Sequence, residues 1–277
     1  MSVLLPDSTR AALDMLAETR GAAVPLAGGT DLLVHWPVRL DDHERTYLDL
    51  SGARELRAYQ WTDEELVLGG LTTYWDVLTD TRVWTHFPLL THAARQVGAI
   101  QIQTRGTWAG NIVNASPAAD GVPVLMAYDA IVVLASVAGQ EEVSLADFYT
   151  GYKEMRRRPD QLIVAIRVPR RAHAVQIFEK VGQRRAQAIA KVGLAVTRSD
   201  AGWRVVAASM APTVRRCPAV ERLLEEQAPV HGPEDFLAAI ERDVTPIDDI
   251  RSTARYRARV MANLLYHDLR GVCNFIQ

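Results

Sequence analysis

Apolar and polar residues recur along this chain with two different periods, and the switches between them sketch the fold. After Ser8, a suitable helix cap, Ala12, Leu13, Leu16 and Ala17 fall on one helical face, and Gly21 stops that helix. Ala22 to Ala27 reads as a short buried strand despite Pro25, and Gly28-Gly29 ends it. Tyr47 to Leu50 is the next strand, completing a small β-α-β unit. Leu56 to Trp61 and Glu65 to Leu68 form a hairpin around Thr62-Asp63-Glu64. Thr72 or Thr73 caps a helix carrying Trp75, Val77 and Leu78, and Pro88 opens another that runs to Val97. Gly98 to Pro123 predicts a long irregular stretch, and a connection of that length in a compact protein is usually functional. Ala130 to Ala135 and Leu162 to Val168 are strands, the second closed by Pro169.

Beyond Pro169-Arg170-Arg171 the pattern changes. Val175 to Val181, Ile189 to Thr197 and Trp203 to Met210 predict three antiparallel strands. Helical stretches follow at Ala219–Glu226, Asp235–Arg242 and Ser252–Leu269. In the last, Val260, Met261, Leu264, Leu265 and Leu269 make an apolar face. A domain boundary therefore falls near residue 170, with no linker composition to separate the two parts.

Composition narrows the function. The 277 residues suffice for one large or two modest domains, and 48% apolar residues suit a sizeable core. A net charge of −2 leaves no electrostatic footprint for nucleic acid or an acidic membrane. The densest basic run, Arg156-Arg157-Arg158, reads first as a solvated turn before Pro159. The N-terminus has neither the basic start nor the apolar core of a signal peptide. No segment approaches the ~20 apolar residues that span a bilayer. Cys217 and Cys273 fit a reducing compartment and cannot alone supply an iron–sulfur cluster or a four-cysteine zinc site. If the chain does redox work, an organic cofactor does it. The seven histidines form no catalytic constellation; His35 and His92 read as ordinary core or surface residues.

Two glycine-bearing segments carry the candidate chemistry. One is Leu26-Ala27-Gly28-Gly29-Thr30-Asp31-Leu32-Leu33. The other is Thr104-Arg105-Gly106-Thr107-Trp108-Ala109-Gly110-Asn111, continuing to Ala115-Ser116-Pro117-Ala118-Ala119-Asp120. Each suits a loop that brings backbone N–H groups against a phosphate, and two such loops suggest a clasp on one diphosphate. Glycine permits that close approach, and Thr30 and Thr107 add small hydroxyl donors. The first segment holds no lysine or arginine, so backbone groups must do most of the neutralising. Hydrogen bonds to charged groups give about 1.5–3 kcal/mol each, against ~0.3–1 kcal/mol per charge from a helix dipole. The first segment matches neither the single-loop dinucleotide fingerprint nor the loop of nucleotide hydrolases. Asp120 precedes an apolar helix, Val122 to Tyr128; it can cap that helix, accept from ribose hydroxyls or the flavin ring edge, or do both.

In order along the chain these motifs resemble the FAD-binding subunit of molybdenum-containing hydroxylases, the xanthine dehydrogenase and carbon monoxide dehydrogenase group. The first segment is similar to the family's Ala-Gly-Gly run ending in Leu, and the second to its Arg-Gly-Thr-Ile-Gly-Gly-Asn followed by Pro-Ala-Ala-Asp. Leu162 to Pro169 resembles a family strand. Lys180, Arg184-Arg185 and Ile189 to Val192 resemble its next segment. Pro246 to Arg251 with Tyr256-Arg257 resembles its C-terminal pattern. The resemblance implies an α+β fold: a two-subdomain FAD-binding domain of the vanillyl-alcohol-oxidase type at 1–170, with subdomains of about 1–55 and 56–170. A smaller domain at 171–277 with a three-stranded antiparallel sheet and helices would follow.

The resemblance also implies that Leu26, Ala27, Gly28, Gly29, Thr30, Asp31 and Leu32 wrap the FAD pyrophosphate, with Thr107, Gly110 and Asn111 closing over it. Asp120 would reach the ribose hydroxyls or the ring edge, Ile163 would pack near the cofactor, and Lys180 would lie near the flavin ring. Implied partners are a small iron–sulfur subunit and a large molybdopterin subunit, with NAD, a quinone or another external electron acceptor. No nucleic acid, no membrane insertion and a cytoplasmic location are expected. One departure stands out: Trp108-Ala109 replaces Ile-Gly, and alanine would cost about 1–2 kcal/mol if position 109 needed positive φ. Two other readings stay open, a free-standing flavin oxidase or dehydrogenase and an assembly subunit whose flavin site has decayed.

Overall fold

The computed structural model describes residues 2–35, 45–185 and 187–277. The first layer is a small parallel sheet in the order β1 (Ser2–Leu4), β3 (Thr46–Asp49), β2 (Val24–Leu26). Helix α1 (Thr9–Glu18) is capped by Ser8, which accepts from the Ala11 N–H, and it buries Ala12, Leu13 and Leu16. It ends where Arg20 and Gly21 turn left-handed and the Gly21 N–H returns to Leu16 O at 2.8 Å. Pro25 is tolerated because β2 is an edge strand, where one missing N–H costs no ladder bond.

The second layer is a five-stranded antiparallel sheet in the order β4 (Tyr59–Trp61), β5 (Glu65–Gly69), β10 (Leu162–Pro169), β6 (Ile131–Ser136), β7 (Gly139–Ser144). On it pack α2 (Tyr74–Thr79), α3 (Thr81–His86) and α4 (Pro88–Gln96), then, after α5 (Ile100–Gln103), which buries none of its residues, α6 (Trp108–Asn114) and α7 (Gly121–Ala127). Thr73 closes a capping box with Asp76 at the start of α2. Leu66, Leu68, Phe87, Leu90, Leu134 and Ile166 are fully buried between sheet and helices. The hairpin strand β4 starts at Tyr59 because Arg54–Arg57 forms a short 3-10 turn.

One sequence expectation needs correction here, and one strand went unread. Gly98 to Pro123 is not irregular: it holds α5, α6 and the start of α7. Its glycines, asparagines and prolines are poor helix formers, but burial of Trp108, Ala109 and Ile112 and the Thr107 cap on the Gly110 N–H outweigh propensity. The polar segment Gly139–Ser144 is also a strand; it pairs its backbone with β6 at the sheet edge while only Val143 is buried.

A pair of short strands, β8 (Tyr149–Gly151) and β9 (Glu154–Met155), precedes β10. The C-terminal sheet runs β11 (Val175–Val181), β12 (Val192–Ser199), β13 (Gly202–Ala208), β14 (Arg215–Arg216), all antiparallel. The three expected long strands are thus joined by a two-residue fourth that no periodicity signals. Helices α8 (Pro218–Glu225), α9 (Leu237–Asp243) and α10 (Ala254–Leu269) cover one face, burying Val220, Ile240, Met261, Leu265 and Leu269. The other face carries Phe178, Ala195, Val206 and Ala208 into the same core as α7. All seven residues of α7 are buried. Among the described residues, no helix is long and apolar enough to cross a membrane.

Candidate functional site: a cavity between two glycine-bearing loops

A cavity of about 510 Å³ opens where the loop after β2 meets the start of α6. Ala27, Gly28, Gly29, Thr30, Asp31, Leu32, Thr107, Gly110, Asn111 and Ile163 all line it. Two segments some eighty residues apart in sequence are therefore brought to one space. Their contact is close. A Cβ on Gly28 would stand 1.8 Å from the carbonyl oxygen of Arg105, so this position admits no side chain without backbone movement. Gly29 is required for a different reason: its φ of +73° lies in the left-handed region. The Arg105 Nε donates back to Gly28 O at 3.3 Å, and Asn114 Nδ2 donates to Asp31 Oδ1 at 3.0 Å. Lys153 Nζ in turn donates to Asn114 Oδ1 at 2.7 Å.

The donors left over point to the ligand chemistry. The backbone N–H groups of Gly28, Gly29, Thr30 and Asp31 find no acceptor among the described residues, nor does that of Ala109 in the first turn of α6. A row of unspent N–H groups beside a helix start is suited to phosphate oxygens. Three lining side chains also hold buried polar atoms without a partner: the Tyr74 hydroxyl, Asn111 Oδ1 and Arg157 Nε. Native interiors rarely leave such atoms unpaired, so a polar ligand fits here. The donor set suits a diphosphate, and apolar Val24, Pro25, Leu50, Leu162 and Ile163 supply wall for rings and ribose carbons.

Leu26, Asp120 and Lys180 do not line this cavity. Leu26 is part of β2 and sits one residue behind the loop. Asp120 stands at the cap position of α7 but makes no capping bond; its Oδ2 accepts instead from Lys180 Nζ at 2.6 Å, and Lys180 also donates to Gln96 O at 2.9 Å. The Asp120 and Lys180 side chains are only 15% and 6% exposed. Burial raises the Asp120 carboxyl above the usual carboxylate range, while the Lys180 charge and hydrogen bond oppose that rise. The pair lies behind the cavity wall. Burial, then the charge of Asp120, pushes the Tyr74 hydroxyl well up.

Ala109 sits in the helix without positive φ, so the cost that the sequence allowed for does not arise. Its neighbour Trp108 is fully buried against Tyr74, with ring centroids 4.7 Å apart, and is core. Sequence reasoning missed Tyr74 and Arg157. Tyr74 carried no signal beyond its place behind the Thr73 cap. Arg157 was hidden in a basic run read as a solvated turn. Arg156, Arg158 and Pro159 are exposed as that reading expects, and Arg157 alone is half-buried; Pro159 lies so near Gly21 that a Cβ there would be 2.5 Å from its ring.

Comparison with known proteins agrees with this geometry. The model of the FAD binding domain in molybdopterin dehydrogenase matches residues 1–171, and that of the CO dehydrogenase flavoprotein C-terminal domain matches residues 178–272. The chain is 33% identical over 183 residues to the nicotinate dehydrogenase FAD-subunit of Eubacterium barkeri, covering 64% of this chain and 62% of that one. It is 33% identical over 173 residues to the glyceraldehyde dehydrogenase medium chain of Sulfolobus acidocaldarius, covering 62% of this chain and 61% of that one. The matched stretch is thus under two thirds of either relative. The fold match extends further. Carbon monoxide dehydrogenase from Hydrogenophaga pseudoflava, in a form lacking the Mo-pyranopterin moiety of its molybdenum cofactor, superposes with a TM-score of 0.87 at 25% identity. That match covers 100% of this chain and 98% of the other. The chain accordingly belongs to the family of FAD-binding domains of molybdopterin dehydrogenases, a mixed helix-and-sheet protein with a C-terminal flavoprotein domain.

Proposed function

We propose that this chain is the FAD-binding electron-transfer subunit of a molybdenum-containing hydroxylase or dehydrogenase. The observation that carries the reading is the meeting of two glycine-bearing loops around a cavity where the N–H groups of Gly28 to Asp31 and Ala109 find no acceptor among the described residues. FAD, when bound, supplies the acceptance and release of electrons. The protein's part is binding and orientation. The N–H groups of Gly28 to Asp31 and Ala109 take the diphosphate, Thr30 and Thr107 stand beside it, and Asn111 offers an unpaired amide oxygen to a ribose or ring donor. Ile163 packs against the cofactor. Leu26 backs the first loop, and the Asp120–Lys180 pair stands behind Tyr74. The fold is taken to be of the vanillyl-alcohol-oxidase type, with subdomains at about 1–55 and 56–170 and a C-terminal domain at 171–277.

Substrate oxidation then belongs to other chains: a large molybdopterin subunit, and a small iron–sulfur subunit that delivers electrons to the flavin. NAD, a quinone or another acceptor removes them, and the complex works in the cytoplasm. Among the described residues, no group of His, Cys, Asp and Glu is gathered as a metal site.

The test is the visible spectrum of the purified chain, with the released cofactor identified by chromatography. Bound FAD is the expected result. FMN or a covalent flavin would move the reading to a free-standing oxidase. No uptake of flavin, even from excess FAD, would overturn it for this chain.

A further inference from the structure

We propose that Arg157 is a cofactor ligand, pairing its guanidinium with a phosphate oxygen of the bound dinucleotide. This rests on the FAD reading above and adds a cation to the cavity lining, since Arg105 of the second loop spends its Nε on Gly28 O and does not line the cavity. Among the described residues that line the cavity, Arg157 is the single cation. The loops contribute neutral N–H and hydroxyl donors, and Asp31 adds a negative charge to the same space. A diphosphate entering there leaves two or more anionic groups facing one arginine.

The guanidinium is held ready for this role. Its Nη1 donates to Gln161 O at 2.7 Å and to Arg158 O at 3.1 Å, which fixes the plane of the group. Its Nε is buried and has no partner. Nearby carboxylates are committed elsewhere: Asp160 accepts from Arg158 Nε at 3.1 Å, and Glu141 accepts from Gln161 Nε2 at 3.1 Å. Asp160 acts on Arg157 only at longer range, while burial disfavours its charged form. A partly buried cation with an unspent N–H is costly unless an anion reaches it. A planar fork suits a phosphate oxygen.

The test titrates cofactor-free native protein, Arg157→Gln and Arg157→Lys with FAD, following quenching of flavin fluorescence at two salt concentrations. ADP and riboflavin are titrated alongside. Arg157→Gln should weaken FAD about 10- to 100-fold, the range expected for a charge-assisted contact. ADP should weaken with it, riboflavin should not, and the salt dependence of FAD binding should become shallower. Arg157→Lys should recover part of the affinity and most of the salt dependence. Thermal melts of the cofactor-free forms set a temperature at which every variant is folded, and the loss must persist there. Native protein that binds FAD while Arg157→Gln binds it within twofold, with the same salt dependence, overturns the role of Arg157 alone. Equal weakening of riboflavin and ADP also overturns it, because the contact would then not be to phosphate. Native protein that binds no FAD overturns the underlying reading and this proposal together.

Discussion

The two loops that meet at the cavity look alike in sequence and are built on different physics. In the first, Gly28 is fixed by contact, since another backbone occupies the place of its Cβ, and Gly29 by its left-handed φ. In the second, Gly106 and Gly110 keep ordinary φ values and are held by milder contacts, a Cβ meeting Ile102 O at 2.9 Å or Thr107 Oγ1 at 2.8 Å, and alanine is accommodated at 109 in the first turn of a helix. The first loop offers bare N–H groups and owes its shape to glycine. The second offers a helix start and owes its position to what lies beyond it, through Asp120, Lys180 and the buried α7. A glycine in a motif is therefore no measure of what the position tolerates. Only the neighbour at the missing Cβ, or the sign of φ, tells the two cases apart.

The largest expected effect tests the anchoring of the second loop. Lys180→Met removes the partner of a buried carboxylate and should lower stability by about 3–5 kcal/mol in denaturant unfolding near neutral pH. The sign of its pH dependence follows from Asp120, whose carboxyl is raised in the native state by burial. The native state then holds this proton more firmly than the unfolded chain does. Stability is lost as pH rises from the unfolded carboxyl value through the folded one. Lys180 opposes that rise, so removing it widens the window, and the deficit of Lys180→Met should shrink on acidification. A deficit that does not change with pH would detach Asp120 from the effect.

Next comes the first loop. Gly28→Ala forces its Cβ into Arg105 and should cost about 1–3 kcal/mol, together with most of the retained flavin. A variant that melts and binds flavin like the native chain would erase the contrast between the loops. The smallest effect belongs to Ala109→Gly. With no positive φ to relieve, it should leave FAD affinity within about threefold and lower stability by roughly 0.5–1 kcal/mol, the ordinary cost of glycine in a helix. A clear gain in flavin affinity would mean that alanine strains the second loop after all.

Much of this was legible in the sequence because the loops are short contiguous motifs. Gly28-Gly29 ends a strand, Thr107 caps a helix, and a reader who knows what glycine permits can place both. The long C-terminal strands were legible from alternation. What escaped notice depends on distant packing. The edge strand β7 presents mostly exposed polar residues and exists through its pairing with β6. The helices of Gly98 to Pro123 are sustained by the burial of Trp108 and Ile112 against low propensity. Arg157 reaches the cavity because Gly21 leaves room for Pro159, a contact more than a hundred residues apart in sequence. The partner of Asp120 lies on β11 of the C-terminal sheet, 60 residues further along the chain, so local reading could offer only a helix cap.

The burial of α7 on every side bears on autonomy. Its outer surface is covered by Ala195, Val206 and Ala208, which belong to the C-terminal sheet. A polypeptide stopped at Pro169 would keep both glycine loops and lose the roof over α7, along with the lysine that neutralises Asp120. The C-terminal half has a core of its own, whereas the cofactor-binding half completes the burial of α7 only against that neighbour, so the dependence runs mainly one way.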